Sequence, residues 1–267
     1  MDFGKKVIEK IITPPIIAER DAFQIKIAEN DHEIEEAMRL RYEVFNLEQG
    51  QGLDSAALDE LDRDEFDNYC LHLIVVEVET KRIVGTYRIH PGRIANEAIG
   101  FYSSREYQIE GLEAIADNTI EIGRSCVHPD FRNGAVVALL WSGIANILKR
   151  SEMNFLLGCV SLETTDPTIG WAIYEHMMEK GHGTDVLKAE AAKGYELGHP
   201  GKKEIQKVLE EDRIMVRKSM PPLLKGYLRL GAGVCGPPAL DEEFGSIDYL
   251  VLFDLSKMPE KYVRHFC

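Results

Sequence analysis

The sequence predicts an α/β fold: a mixed, mostly antiparallel sheet covered by helices. Two observations carry this expectation. The apolar segments follow the order strand, helix, three mostly antiparallel strands, helix, strand, helix, strand, which packs most simply as helices on a mixed sheet. Within that order, "LHLIVVEV" and "RIVGTYRI" are separated only by a short polar turn, the signature of a hairpin.

Taken in order, residues 1–22 read as an N-terminal arm, broken from the rest by Pro14 and Pro15. "FQIKIAEN" (23–30) is the first expected strand. Asn30 or Asp31 caps a helix running to about Leu47, whose acidic Glu33, Glu35 and Glu36 suit the positive end of the helix dipole. An acid-rich linker, 49–67, leads into the hairpin. "TIEIGRSCV" (119–127), the turn "PDFRNG" and an apolar helix from about 134 to 150 follow. After the strand "FLLGCVSL" (155–162), Asp166 and Pro167 open a helix that Lys180 and Gly181 close. A polar segment, a helix beginning in "PPLLKGYLRL" and a last strand, "IDYLVLFDL", complete the chain. The expected organisation is one domain over 23–267 with a helical insertion around 182–232.

Composition narrows the function classes. With 45 acidic against 31 basic residues the formal charge is −14, which argues against a nucleic-acid binder. Five scattered cysteines without a C-x-x-C spacing suggest neither a disulfide framework nor a zinc site. The longest apolar run, "AVVALLWSGIANIL", is too short to span a bilayer, and the N-terminus lacks the pattern of a signal peptide. The expectation is a cytoplasmic protein.

Four placements of charge stand out. Glu121 and Arg124 interrupt an apolar strand three residues apart, where a regular strand would point them to opposite faces. Gly123 between them predicts a bulge that re-aims Arg124. Arg41 falls in the middle of the apolar face formed by Ile34, Ala37, Met38, Val44 and Phe45, so its guanidinium needs an anionic or carbonyl partner, or snorkels to water. Arg88 shares with Val84, Thr86 and His90 what reads as the more polar face of its strand. The acidic run "DELDRDEFD" (Asp62, Asp64, Glu65, Asp67) reads by itself as a solvated loop.

Together, "LRYEVF", "DRDEFD", "GTYR" and "EIGRSCV" resemble the acyl-homoserine-lactone synthase arrangement within the GNAT superfamily. The longer segments "GFYSSREYQI", "EIGRSCVHPDFRNGAVVALLW", "GCVSLETTDP" and "PPLLKGYLRLGAGVCGPPALDEEFGSIDYLVLF" are similar to ornithine-lipid-forming, hemolysin-like N-acyltransferases. The resemblance implies a GNAT fold with helices on both faces of the sheet, and an N-acyltransferase that takes a fatty acyl group from a thioester on acyl carrier protein to the amine of an amino acid. Residues matching the motifs are Arg41, Phe45, Asp64, Asp67, Arg88, Glu121 and Arg124. Glu121 is expected as the base, directly or through water, with Arg124 and Arg41 holding it or another carboxylate. Phe45, Asp64, Asp67 and Arg88 are expected around the acceptor. Ornithine, glycine and lysine all remain open as that acceptor.

The superfamily's thioester loop, Q/R-x-x-G-x-G/A, is altered to Arg132, Asn133, Gly134, Ala135, Val136 and Val137. Val127, Arg132, Asn133 and Gly134 are therefore expected at the thioester, and the departure favours acyl-phosphopantetheine on a carrier protein over coenzyme A. Neither a tightly bound cofactor nor a metal is expected. An acidic carrier needs a basic patch, which "RIMVRKSMPPLLKGYLR" supplies through Arg213, Arg217, Lys218 and Lys225. The lipid product allows a peripheral membrane association. The competing readings are a homoserine-lactone-type signal synthase and a non-catalytic module that binds acyl chains or a carrier protein.

Overall fold

The computed structural model describes residues 8, 9 and 11–257; residues 1–7 and 10 of the expected arm, and the tail from 258, lie outside the described residues. The strands are β1 (Ile16–Arg20), β2 (Phe23–Ile27), β3 (Leu71–Glu77), β4 (Ile83–Pro91), β5 (Tyr107–Glu110), β6 (Thr119–Val127), β7 (Phe155–Leu162), β8 (Lys188–Ala191), β9 (Gly233–Val234), β10 (Ala239–Asp241) and β11 (Ser246–Asp254). The principal helices are α1 (Asp31–Tyr42), α2 (Ala135–Ser151), α3 (Pro167–Glu179), α4 (Lys202–Glu211), α5 (Arg213–Ser219) and α6 (Pro222–Leu230). The described residues divide into two compact units, one containing those up to 100 and 118–154, the other 101–117 and 155–257.

In the first unit, β1, β2, β3, β4 and β6 pair in that order, each antiparallel to its neighbour. Part of the expected arm is thus sheet, because β1 pairs along β2. Asn30 caps α1, its side chain accepting a hydrogen bond from Glu33 N at 3.0 Å. The helix does not run on as α to Leu47: residues Glu43–Glu48 widen into a π-helix, a form common at functional sites. One sheet face packs Ile74, Val76, Ile83 and Cys126 against Ala37 and Leu40 of α1 and Val44 of the π-helix. The other receives α2, since a Cβ at Gly143 would lie 2.5 Å from Ile25 Cδ1 and 3.0 Å from Leu73 Cδ2. Helices therefore cover both faces of this sheet, as expected.

In the second unit, β11 pairs antiparallel with β7 over Ile247–Asp254, and with β9 and β10; β5 and β8 form a separate antiparallel pair. Asp166 caps α3 through Thr168 N at 2.8 Å with Pro167 in the first turn, and Gly181 beyond its end takes φ +73°, as the sequence signals predict. Among the described residues no helix is long and apolar enough to cross a membrane.

The closeness of α2 to β2 and β3 makes Gly143 a test of the packing. Gly143→Val is expected to lose roughly 1–3 kcal/mol through overpacking against Ile25 and Leu73, read as a lower urea midpoint at unchanged m-value. An unaltered midpoint would mean that α2 sits further from the sheet.

Candidate active site

The opposition of Glu121 and Arg124 is resolved by a bulge. Along the β4–β6 ladder, Pro91, His90, Ile89 and Arg88 pair with Ile120, Glu121, Ile122 and Gly123, and the register then shifts so that Thr86 pairs with Cys126. Arg124 and Ser125 together stand opposite Tyr87, which places the bulge one residue beyond Gly123, and Arg124 adopts φ +49°. Positive φ is uncommon for a residue with a side chain. Gly123 has a different use: a Cβ there would meet nothing within 4 Å, so its missing side chain leaves open space directly across from Arg88.

The re-aimed Arg124 closes a ring of six alternating charges. Arg41 reaches Asp62 and Asp67 at 2.9 Å each, Arg88 reaches Asp64 at 2.6 Å and Asp67 at 3.5 Å, and Arg124 reaches Asp62 and Asp64 at 3.3 Å each. Every arginine bridges two aspartates and every aspartate two arginines, so the ring is neutral. It is also nearly dry, with Arg41 1% and Asp62 0% exposed. The acidic run expected as a solvated loop is thus drawn inside, and the face of Arg88 that reads as polar is buried along the whole of β4.

Arg41, expected among the catalytic groups, is an internal clamp. Its Nη1 and Nη2 each donate to Asp67 at 2.9 Å, Nε donates to the Asp62 carbonyl at 3.0 Å, and Nη2 makes a second bond to that carbonyl. Asp64 and Asp67, expected at the acceptor, form a capping box on the short helix Glu65–Asn68, Asp64 accepting from Phe66 N and Asp67 from Asp64 N. They order the loop and hold the ring. Burial works to raise both carboxyls, but Arg88 and Arg124 at Asp64, and Arg41 and Arg88 at Asp67, outweigh it and hold both below the ordinary carboxylate value.

Glu121 lies beside the ring on the same sheet face, 5% exposed, with one Oε 3.6 Å from His90 Nδ1. His90 meets Phe66 edge to face, centroids 6.0 Å apart, and the Arg88 guanidinium sits 5.6 Å from the Phe66 centroid. His72, paired across the hairpin with Arg88, is pushed down to about 4 by burial, with Arg41 adding to the effect. Sequence reasoning passes over His72 and Phe66. Strand alternation is the signal that could find His72, since hairpin pairing puts it on the face of Arg88 and His90. Phe45, expected at the substrate, sits on the π-helix and packs against the apolar cluster beneath α1.

The turn after β6 gathers the expected thioester residues. Arg132 Nε donates to Val127 O at 2.9 Å, and its two terminal nitrogens bond Glu48 at 2.6 and 2.7 Å. Asn133 Oδ1 accepts from Ala135 N at 3.0 Å, and Gly134 takes φ +93° at the start of α2. Of the expected docking residues, Arg217, Lys218 and Lys225 line a cavity of about 760 Å³ in the second unit, together with Lys180 and Arg229. Arg213 instead pairs with Glu179 at 2.9 Å.

The depressed His72 sets an acid limit on stability. Its ordinary value is 6.5 and its folded value about 4, so the unfolded chain binds the additional proton between those values. The stabilisation is complete above pH 6.5 and is lost as pH falls towards 4, by up to roughly 3 kcal/mol. Asp64 and Asp67 lose theirs only below the ordinary carboxylate value of 3.8. Tm is expected to fall across the window from 6.5 to 4, and His72→Gln to flatten that slope. Parallel profiles for the two proteins would remove His72 from the account.

Known proteins agree with this architecture. Residues 40–142 match the family described as the acetyltransferase (GNAT) domain. The chain is 32% identical over 254 residues to the L-ornithine N(alpha)-acyltransferase of Rhodobacter capsulatus, covering 90% of this chain and 93% of that protein. It is 30% identical over 265 residues to the protein of the same name from Brucella abortus, covering 94% and 91%. A solved N-acyl amino acid synthase from uncultured soil microbes shares the fold at a TM-score of 0.51, with 11% identity over 90% of this chain and 98% of that one. Since the sequence relationship spans nearly the full length of both partners, the chain belongs to the L-ornithine N(alpha)-acyltransferase family, N-acyltransferases of GNAT fold.

Proposed function

We propose that this N-acyltransferase moves a fatty acyl group from the phosphopantetheine thioester of acyl carrier protein to the α-amine of L-ornithine, a step of aminolipid synthesis. The acceptor is taken from the names of relatives that match along almost the whole chain. The observation that carries the mechanism is Glu121: a buried carboxylate facing His90, on the same strand face as the open space left by Gly123.

In this reading Glu121 takes a proton from the acceptor's ammonium, directly or through a water. The freed nitrogen lone pair attacks the thioester carbonyl carbon, and the tetrahedral oxyanion collapses with cleavage of the C–S bond. An amide forms, and a proton released from nitrogen ends on the departing thiol. Arg124, held in the ring at the edge of this space, positions the strand around Glu121. The turn from Val127 to Gly134 receives the pantetheine arm, with Arg132 steadied by Glu48. The Arg217, Lys218 and Lys225 cavity is the surface for the acidic carrier.

Glu121→Gln keeps shape and hydrogen-bonding capacity and removes the proton acceptor. Turnover, followed by mass spectrometry of N-acylornithine, is expected to drop about 10²-fold or more while acyl-donor binding survives. Near-normal turnover would move the base elsewhere. A panel of amino acids in the same assay identifies the acceptor, and glycine or lysine outpacing ornithine would overturn that assignment.

Reversing Arg217 and Lys218 to Glu tests the donor. KM for acyl carrier protein is expected to rise and its salt dependence to weaken, with little change for a small acyl-thioester mimic. Equal losses with both donors would place these residues outside carrier docking.

A further inference from the structure

The second unit holds a buried group of three carboxylates that the proposed acyl transfer does not use. Glu106 ends the short helix Ser103–Glu106, Asp241 ends β10 and Asp248 lies on β11. One oxygen from each lies within 4.8 Å of the others, and the residues are 2%, 6% and 3% exposed. The β10–β11 register pairs Asp241 with Ser246 and Ala239 with Asp248, so both aspartates and Ser246 share one face.

We propose that Glu106, Asp241 and Asp248 form a site for one hard divalent cation of about calcium size. Three like charges this close and this dry cannot all remain ionised without a counter-cation. A further observation points to a ligand. Ser246 Oγ, a 1% exposed hydroxyl directly across from Asp241, has no hydrogen-bond partner. Buried oxygens in native proteins rarely go unsatisfied.

The donors are all oxygen, which selects calcium, manganese or magnesium over softer metals. Ligand oxygens at ~2.3–2.6 Å from calcium can stand up to about 4.6–5.2 Å apart, whereas magnesium's shorter bonds allow only about 4.2 Å. Separations within 4.8 Å all fall inside calcium's span, so the larger ion is the one that every such spacing admits. Such an ion would fasten residues 101–117 to the remainder of their unit, from which they are far removed in sequence.

The experiment uses the full chain, stripped with a chelator and titrated calorimetrically with CaCl₂, MnCl₂ and MgCl₂, with Tm measured in parallel. The expected result is one calcium or manganese ion per chain and a Tm several degrees higher at about 100 times Kd. Glu106→Gln removes one charge and one ligand while relieving repulsion, so the metal-free variant is expected to fold at least as stably and to bind at least about tenfold more weakly. Neither heat nor a Tm shift with calcium or manganese up to about 10 mM would overturn the proposal, leaving a shared proton as the cluster's solution. Equal shifts in wild type and variant would also overturn it. So would a shift given by L-ornithine rather than by metal and lost in Glu106→Gln, because the cation recognised would then be an organic ammonium.

Discussion

The six-membered ring of Arg41, Asp62, Arg124, Asp64, Arg88 and Asp67 is the constraint on which the first unit depends. Its members come from α1, from the loop before β3, from β4 and from the bulge in β6. Removing any one strands a charge in a dry interior, at a cost of roughly 3–5 kcal/mol. The intact ring is not thereby a large source of stability, since desolvating six ions offsets much of their attraction. What it supplies is geometry. The loop cannot drift from the strand, nor the strand from the helix, without opening the ring, and Glu121 is fixed beside it.

The two units handle buried charge in opposite ways. In the first, the three ring aspartates are each matched by two guanidinium groups, and the carboxyls of Asp64 and Asp67 are held below their ordinary value. In the second, Glu106, Asp241 and Asp248 crowd together, and Glu106 is driven towards its neutral form. Matched charge is a self-contained arrangement. Crowded like charge is completed by a proton or a cation, and is correspondingly sensitive to its surroundings.

Much of this architecture is legible in the sequence where a feature is local. The Asn30 and Asp166 caps, the hairpin, the apolar α2 and the bulge near Gly123 each follow from a few adjacent residues. The misplaced Arg41 also announces itself, because a guanidinium on an apolar helix face demands a partner. Its partners are harder to see. Asp62 and Asp67 sit in a run whose composition reads as a solvated loop, and only the fold turns them inward. The edge strand β1 reads as an arm because its apolar pattern is short and follows two prolines. Strands as short as β9 and β10 are defined by pairing with β11, which no local periodicity reports. The carboxylate group joins Glu106 to Asp241 and Asp248, more than a hundred positions further along the chain, and nothing in their neighbouring sequence connects them.

The bulge at Arg124 and Ser125 also changes the parity of its strand. Before it, odd-numbered Glu121 and Gly123 share the face of Thr86, Arg88 and His90; after it, even-numbered Cys126 does. The extra residue works as a phase shifter that lets one strand serve two patterns. Its apolar residues Ile120, Ile122 and Val127 all remain on the opposite face, although their numbering does not keep step. A one-residue deletion here would therefore be a different event from any substitution. It would restore the regular ladder and leave Glu121, Ile122, Cys126 and Val127 on their present faces, but the single residue left opposite Tyr87 would share that residue's face, turned away from Asp62 and Asp64.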